Sequence, residues 1–308
     1  MSGKTTFKDR SMADRWDVIT LQVENLHLQI LPGIGGRLWD VKFHSRSLLF
    51  QNPDLIGLSV DETNLTALPT RSPQFKFPLW GGEKTWIAPD YLWAKGAPYT
   101  ALDSAPFQIT SLSATHIELE SPVCPISHLS VKRRIDVVSA QRWTIRHHVE
   151  NHGSAARPTG IWSVMMIDRP ATIGVKMQNS DFQLVFGAVG NSVVELESNR
   201  IARCLAPQEF KIGLQNPDGK SLIKFGPNGP WLECCVPPPQ PGEAYAHQYP
   251  FEVFNSKDYP YCEAEWHSPI ALLQPNDIIT YQQEFQLWAD DTTFFCTERE
   301  EMIRCMSL

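Results

Sequence analysis

Three features of the 308-residue sequence predict an all-β protein of many antiparallel strands, a sandwich or a barrel. Apolar residues recur with a period of two rather than 3.6. The 24 prolines and 18 glycines suit loops and sheet edges and leave little room for long helices. Turn chemistry separates the alternating runs at short intervals, as in Asn151-His152-Gly153-Ser154, Pro217-Asp218-Gly219 and Pro227-Asn228-Gly229-Pro230.

In chain order, Ile19, Leu21 and Val23 alternate with polar neighbours, and Leu26, Leu28 and Ile30 alternate again after Glu24-Asn25. The turn Pro32-Gly33-Ile34-Gly35-Gly36 leads into a third run, with Trp39, Val41 and Phe43 on one face and Leu38, Asp40 and Lys42 on the other. Further strand-like runs occupy 107–113, 115–121, 128–138, 142–150, 160–168, 182–186, 209–214, 222–225, 231–236, 245–254, 261–272 and 278–287. The one helix-like piece of any length is 297–306, with Thr297 as its cap and Glu298, Glu300 and Glu301 near the positive end of the dipole. The segment 236–242 holds four prolines and could pass for a linker, but runs of the same character continue on both sides. It reads as a long loop within a single domain spanning 1–308, with its core at about 17–290 and no internal repeat.

Composition excludes several classes. The 42% hydrophobic and 20% charged fractions describe a globular chain that buries a large core. A net charge of -7 argues against nucleic acid or an anionic membrane as the main partner. The basic run Lys132-Arg133-Arg134 lies inside a strand-like segment. Residues 1–15 are polar, with no apolar stretch of a signal peptide, and nothing approaches the roughly 18 continuous apolar residues of a membrane helix. A cytoplasmic location is expected. The seven cysteines are odd in number and scattered, with one adjacent pair, Cys234-Cys235, and no C-x-x-C spacing. Reduced thiols, no disulfide, no metal and no cofactor are the expectation; the oligomeric state stays open. Signatures of nucleotide enzymes, zincins and α/β-hydrolases are missing.

Three stretches together resemble the galactose-mutarotase-like superfamily, nearest to an uncharacterised bacterial branch of it. The first is Leu28-Gln29-Ile30-Leu31-Pro32-Gly33-Ile34-Gly35-Gly36-Arg37-Leu38, similar to an opening hairpin that ends in glycines. The second is Phe77-Pro78-Leu79-Trp80-Gly81-Gly82-Glu83-Lys84-Thr85-Trp86-Ile87-Ala88-Pro89, similar to the double-glycine loop over the sugar site. The third is Tyr261-Cys262-Glu263-Ala264-Glu265-Trp266-His267-Ser268-Pro269, which resembles the late strand that carries the catalytic glutamate. The resemblance runs from about residue 19 to 288. It implies an antiparallel β-supersandwich, a small-molecule carbohydrate ligand and interconversion of the α and β anomers of a free or modified sugar.

Mutarotation needs a base at the anomeric hydroxyl and an acid at the ring oxygen, each within hydrogen-bond reach. Along a strand Glu263, Glu265 and His267 share one face, and two like charges there raise one carboxyl pKa. Matching the family's glutamate strand favours Glu265 as base, with Glu263 second; both could instead be solvated edge-strand carboxylates. At the place of the family's histidine acid this chain offers Trp162 or Ser163, so His267, His147, His148 or Lys84 stand as replacement acids. Trp80, Trp86 and Trp93 cluster in one loop-rich stretch and offer flat platforms for the apolar face of a sugar. Glu83 and Lys84 supply polar contacts there, Gly81-Gly82 admit close backbone approach, and Arg37 is a further candidate for hydroxyl or carboxylate recognition. The expected activity is that of an isomerase of the aldose 1-epimerase kind; the alternative is a carbohydrate-binding or sensing protein without turnover.

Overall fold

The computed structural model describes residues 14–61, 63–176, 182–196, 199–289 and 306. Two antiparallel sheets carry almost all of the regular structure, and the chain is an all-β sandwich. The first sheet runs in the spatial order Ile19–Val23, Leu26–Leu31, Arg37–Phe43, Glu83–Ala88, Arg157–Asp168, Tyr261–His267, Phe251–Asn255, Phe210–Leu214 and Gln183–Gly187, with two short strands added off this path. The second runs from Val193–Leu196 through Ala171–Lys176, Trp231–Cys235, Ile278–Trp288 and Arg142–Asn151 to Gln108–Leu112. The main core lies between them, where Leu28, Ile30, Val41 and Val253 of the first sheet meet Ile135, Ile145 and Phe285 of the second.

The period of two decides which side chains look inward. In Tyr261–His267, Cys262, Ala264 and Trp266 enter the main core, so Glu263, Glu265 and His267 project from the opposite, outer face. The same alternation sends Phe210, Ile212, Phe251 and Val253 inward, leaving Lys211 and Glu252 on the outer face beside them. Pairing aligns these positions, with Glu265 between Val164 and Glu252, and His267 beside Trp162.

The structure departs from the sequence reading in several places. Residues 83–88, read as part of a loop, form a six-residue strand between Arg37–Phe43 and Arg157–Asp168. All six are buried, and a strand covered on both faces carries no alternation to read. Ala171–Lys176, buried along five of its six residues, went unread for the same reason. Gly81 and Gly82 deliver the chain into that strand at φ 109° and 70°. A Cβ at Gly81 would stand 2.3 Å from the Phe50 carbonyl oxygen, so only glycine fits. The run 245–254 is strand only at Phe251–Asn255. The run 261–272 breaks around Pro269 into Tyr261–His267 and Ala271–Leu273, both paired with Arg157–Asp168. The proline-rich 236–242 joins a strand of the second sheet to one of the first.

The proposed helix at 297–306 lies outside the described residues except for Met306. Among the other described residues the helices are short, an α-turn at Thr100–Asp103 and three 3-10 turns. Among the described residues no helix is long and apolar enough to cross a membrane. The five described cysteines are free thiols. Arg133 of the basic run turns inward to Glu83, whereas Lys132 and Arg134 pair with Glu118 and Asp136 on the outside.

Candidate functional site

The outer face of the first sheet forms the floor of a cleft of about 350 Å³. Its walls are Phe75, Phe77, the turns that carry Asp90 and Trp93, the loop residue His247, and Phe186 of the edge strand. The floor presents Trp86, Trp162, Lys211, Glu263 and Glu265.

Glu265 is almost fully buried, and one of its oxygens is held on two sides. Trp162 Nε1–H donates to Oε2 at 2.8 Å, and the Lys211 ammonium donates to the same atom at 2.8 Å. The other oxygen, Oε1, is buried with no hydrogen-bond partner among the described residues. Lys211 also reaches Glu252 Oε2 at 2.9 Å and sits 4.6 Å over the Trp162 ring. Burial alone would lower the Lys211 pKa, but the two carboxylates outweigh it and raise it.

Glu252 Oε2 gathers two further donors. His247 Nδ1 and His267 Nε2 each lie 2.9 Å from it. Burial works to raise the Glu252 pKa, yet Lys211 and the two imidazoles hold this carboxyl well below the usual range. The histidines then part company. Burial lowers the His267 pKa despite its bond to Glu252, so this ring is neutral. For His247 burial acts the same way but is overcome by Asp90, 3.3 Å from Nε2, and by Glu252; its pKa rises to about 9. His247 is therefore a cation at neutral pH on the lining of the cleft. His247, Glu252 and His267 bring three atoms of metal-ligand type within 4.8 Å of one another. The Lys211 ammonium already occupies the cationic position beside the shared oxygen.

A second charge pair lies nearby. Lys84 Nζ is 3.3 Å from Glu263 Oε1 and 4.3 Å over the Trp86 ring. Burial lowers the Lys84 pKa, and burial together with Glu265 raises that of Glu263 against the pull of Lys84. The aromatic wall is continuous. Trp93 stacks on Trp162 at 5.6 Å, Trp86 meets both edge-on, and His267 stacks on Trp162 at 5.1 Å.

Of the residues singled out from sequence, Glu265, Glu263, Trp86 and Trp162 line the cleft, with Lys84 bound to Glu263 beside it. His267 shares their face of the strand but is covered by Trp162. Six others do not line it. Arg37 is buried in an ion pair with Asp103 and bonded to the Gly81 carbonyl. Glu83 points the other way along its strand, into the space between the sheets, where it pairs with Arg133 and accepts from Ser163. Trp80 packs with Trp39 and Leu31 in a separate cluster and donates to Ser104. His147 is buried between Thr85 and Gln283, His148 lies on the outside against Thr280, and Ser163 faces the core.

Lys211, His247 and Glu252 were not read from the sequence. Lys211 and Glu252 were accessible to it, since each is the odd polar residue in a strand whose alternate positions are Phe210, Ile212 and Leu214, or Phe251 and Val253. Nothing local marks His247.

Comparison with protein-family models and with curated proteins finds no match. Comparison with solved structures finds many matches. A candidate aldose 1-epimerase from Escherichia coli K12 superposes with a TM-score of 0.60 at 14% identity, over 88% of this chain and 99% of its own. A protein from Synechocystis sp. PCC 6803 gives 0.60 at 11% identity, over 92% and 100%. A galactose mutarotase-like protein from Lactobacillus casei ATCC 334 gives 0.57 at 9% identity, over 88% and 100%.

Proposed function

We propose, from the premise that the chain has a galactose-mutarotase-like fold, that its cleft binds a free or modified sugar and interconverts the anomers by general acid–base catalysis. The observation that carries this reading is the presence of Glu265 and a protonated His247 on the lining of one aromatic cleft. Glu265 is anchored through Oε2, which leaves Oε1 to take the proton of the anomeric hydroxyl. Glu252 holds His247 through Nδ1, and the proton on Nε2 passes to the ring oxygen in exchange for the longer 3.3 Å contact with the exposed Asp90. The ring opens to the aldehyde, C1 turns, and the two groups exchange roles as it recloses. Each such group contributes about 10²–10⁴-fold when it is within reach. Trp86, Trp93 and Trp162 supply flat surfaces for the C–H face of the sugar. His267 fits a positioning role beneath Trp162 in this reading, and the acid is His247.

A second reading has its own observation. A carboxylate already engaged by an ammonium and an indole N–H is a ready acceptor for sugar hydroxyls without any transfer, which suits a binding or sensing protein. Anomer-exchange NMR on a panel of sugars separates the two. For the catalytic reading, Glu265→Gln retains binding while exchange falls by about 10²–10⁴-fold. Parental exchange in that variant removes Glu265 as base. Binding without exchange by the parent, for every sugar that binds, establishes the second reading.

A further inference from the structure

The charges around the cleft point to a selection on ligand charge. We propose that the site takes neutral and amine-bearing sugars and rejects phosphorylated and carboxylated ones, an inference that rests on the sugar-binding reading above. Four carboxylates, Asp90, Glu252, Glu263 and Glu265, surround three cations, Lys84, Lys211 and His247. Every one of those cations is committed. Lys211 is shared between Glu252 and Glu265, Lys84 is bound to Glu263, and His247 is clamped by Asp90 and Glu252. A phosphate or carboxylate on the ligand would have to draw one of them away and leave a buried carboxylate unpaired, the most unfavourable state for such a group. Arginine, the residue suited to gripping these groups through two parallel bonds, is absent from the described lining.

An ammonium meets the opposite conditions. Glu265 Oε1 has no hydrogen-bond partner among the described residues, so it can accept from an ammonium without any ion pair of the cleft being broken. Trp93 lines the same cleft and adds an indole for a cation–π contact. An adjoining groove of about 670 Å³ shares Phe75 and Phe77 with the cleft, and the cation in its lining is the exposed Lys76. An anionic arm that reached over Phe77 would find its partner there.

The test is titration calorimetry with galactose, galactosamine, galactose 6-phosphate and galacturonate, and with the matching glucose series. The titrations are run at about pH 6.5, below the range of an α-amino group. The expected order places the amine at or above the neutral sugar. Both anions bind at least about tenfold more weakly than their neutral parent, a difference of about 1.4 kcal/mol. Glu263→Gln, which releases Lys84, narrows that gap severalfold. Asp90→Asn, at the half-exposed rim and safe for folding, weakens the amine relative to the neutral sugar. An anion that binds as tightly as its neutral parent overturns the charge selection and leaves the sugar reading standing. If Lys76→Ala then abolishes that anion's binding, the groove is its site. Failure of every sugar to bind overturns the sugar reading and this inference with it.

Discussion

Lys211 is the cation on which the cleft is organised, and its removal has a magnitude that the structure sets. The side chain is 7% exposed and lies 2.8 and 2.9 Å from Glu265 and Glu252, themselves almost fully buried. Lys211→Met keeps the length of the stem and its contact with Trp162 while deleting the charge, so packing changes little. Removing one partner of a buried pair costs about 3–5 kcal/mol because a charge is left uncompensated, and here Glu265 keeps only the Trp162 N–H while Glu252 retains His247. The pH dependence has a definite sign. The Glu252 carboxyl is depressed in the folded protein, so its stabilising effect is present above the unfolded carboxylate pKa and is lost as pH falls through the folded one. The variant lacks the main source of that depression. Its deficit is therefore largest near neutral pH and shrinks on acidification, as the carboxylates that have lost their cation take up protons. Urea unfolding of both proteins at several pH values measures this. A variant within about 1 kcal/mol of the parent at neutral pH refutes the reasoning. So does a deficit that grows on acidification.

Three further outcomes follow from the same geometry. Because the His247 pKa stands at about 9, anomer exchange by the parent should fall as pH rises through that value, and His247→Gln should lose exchange at neutral pH while still binding sugar. NMR exchange rates across pH check both parts. Trp93 stacks on Trp162 at 5.6 Å and lines the cleft, so Trp93→Ala should weaken sugar binding by about 0.5–1.5 kcal/mol, as titration calorimetry would measure. His147, held between Thr85 and Gln283, has its pKa lowered by burial to about 3. The unfolded chain takes up a proton there below about pH 6.5 and the folded one does not, so stability drains away between pH 6.5 and 3; His147→Gln should make that decline shallower in denaturant titrations.

The sheets were legible wherever one face of a strand is apolar and the other polar. Ile19–Val23, Leu26–Leu31, Arg142–Asn151 and Ile278–Trp288 stand where the alternation put them. The strand Glu83–Ala88 escaped because cleft and core cover both its faces, leaving the run Lys84-Thr85-Trp86-Ile87 without a polar side to contrast. Its double glycine suggested a loop, and the glycines do make a turn, but the turn ends where the strand begins. That placement also accounts for the sorting of its residues. Lys84 and Trp86 fall on the cleft side, whereas Glu83 and Thr85 fall on the core side with Arg133 and His147.

The acid illustrates a limit of another kind. A strand constrains its side chains through its period, so Glu263, Glu265 and His267 could be assigned to one face without coordinates, and the same logic applied to Phe210–Leu214 would have found Lys211. His247 belongs to a loop between Ala246 and Gln248, where no period operates, and it reaches the cleft because residues 245–250 leave the strand pattern. Its charge is set from elsewhere in the chain. Asp90 comes from the turn after the Glu83–Ala88 strand, and Glu252, though near in sequence, is itself tuned by Lys211 and His267. The turn of Asp90 and the strand of Glu252 must both meet this loop before its imidazole is held as a cation, whereas burial lowers the pKa of His267 on the same carboxylate. Two histidines on one oxygen thus acquire opposite charge tendencies, His247 from its second carboxylate Asp90 and His267 from its deeper burial. The one that remains in contact with the cleft is the one able to give a proton away.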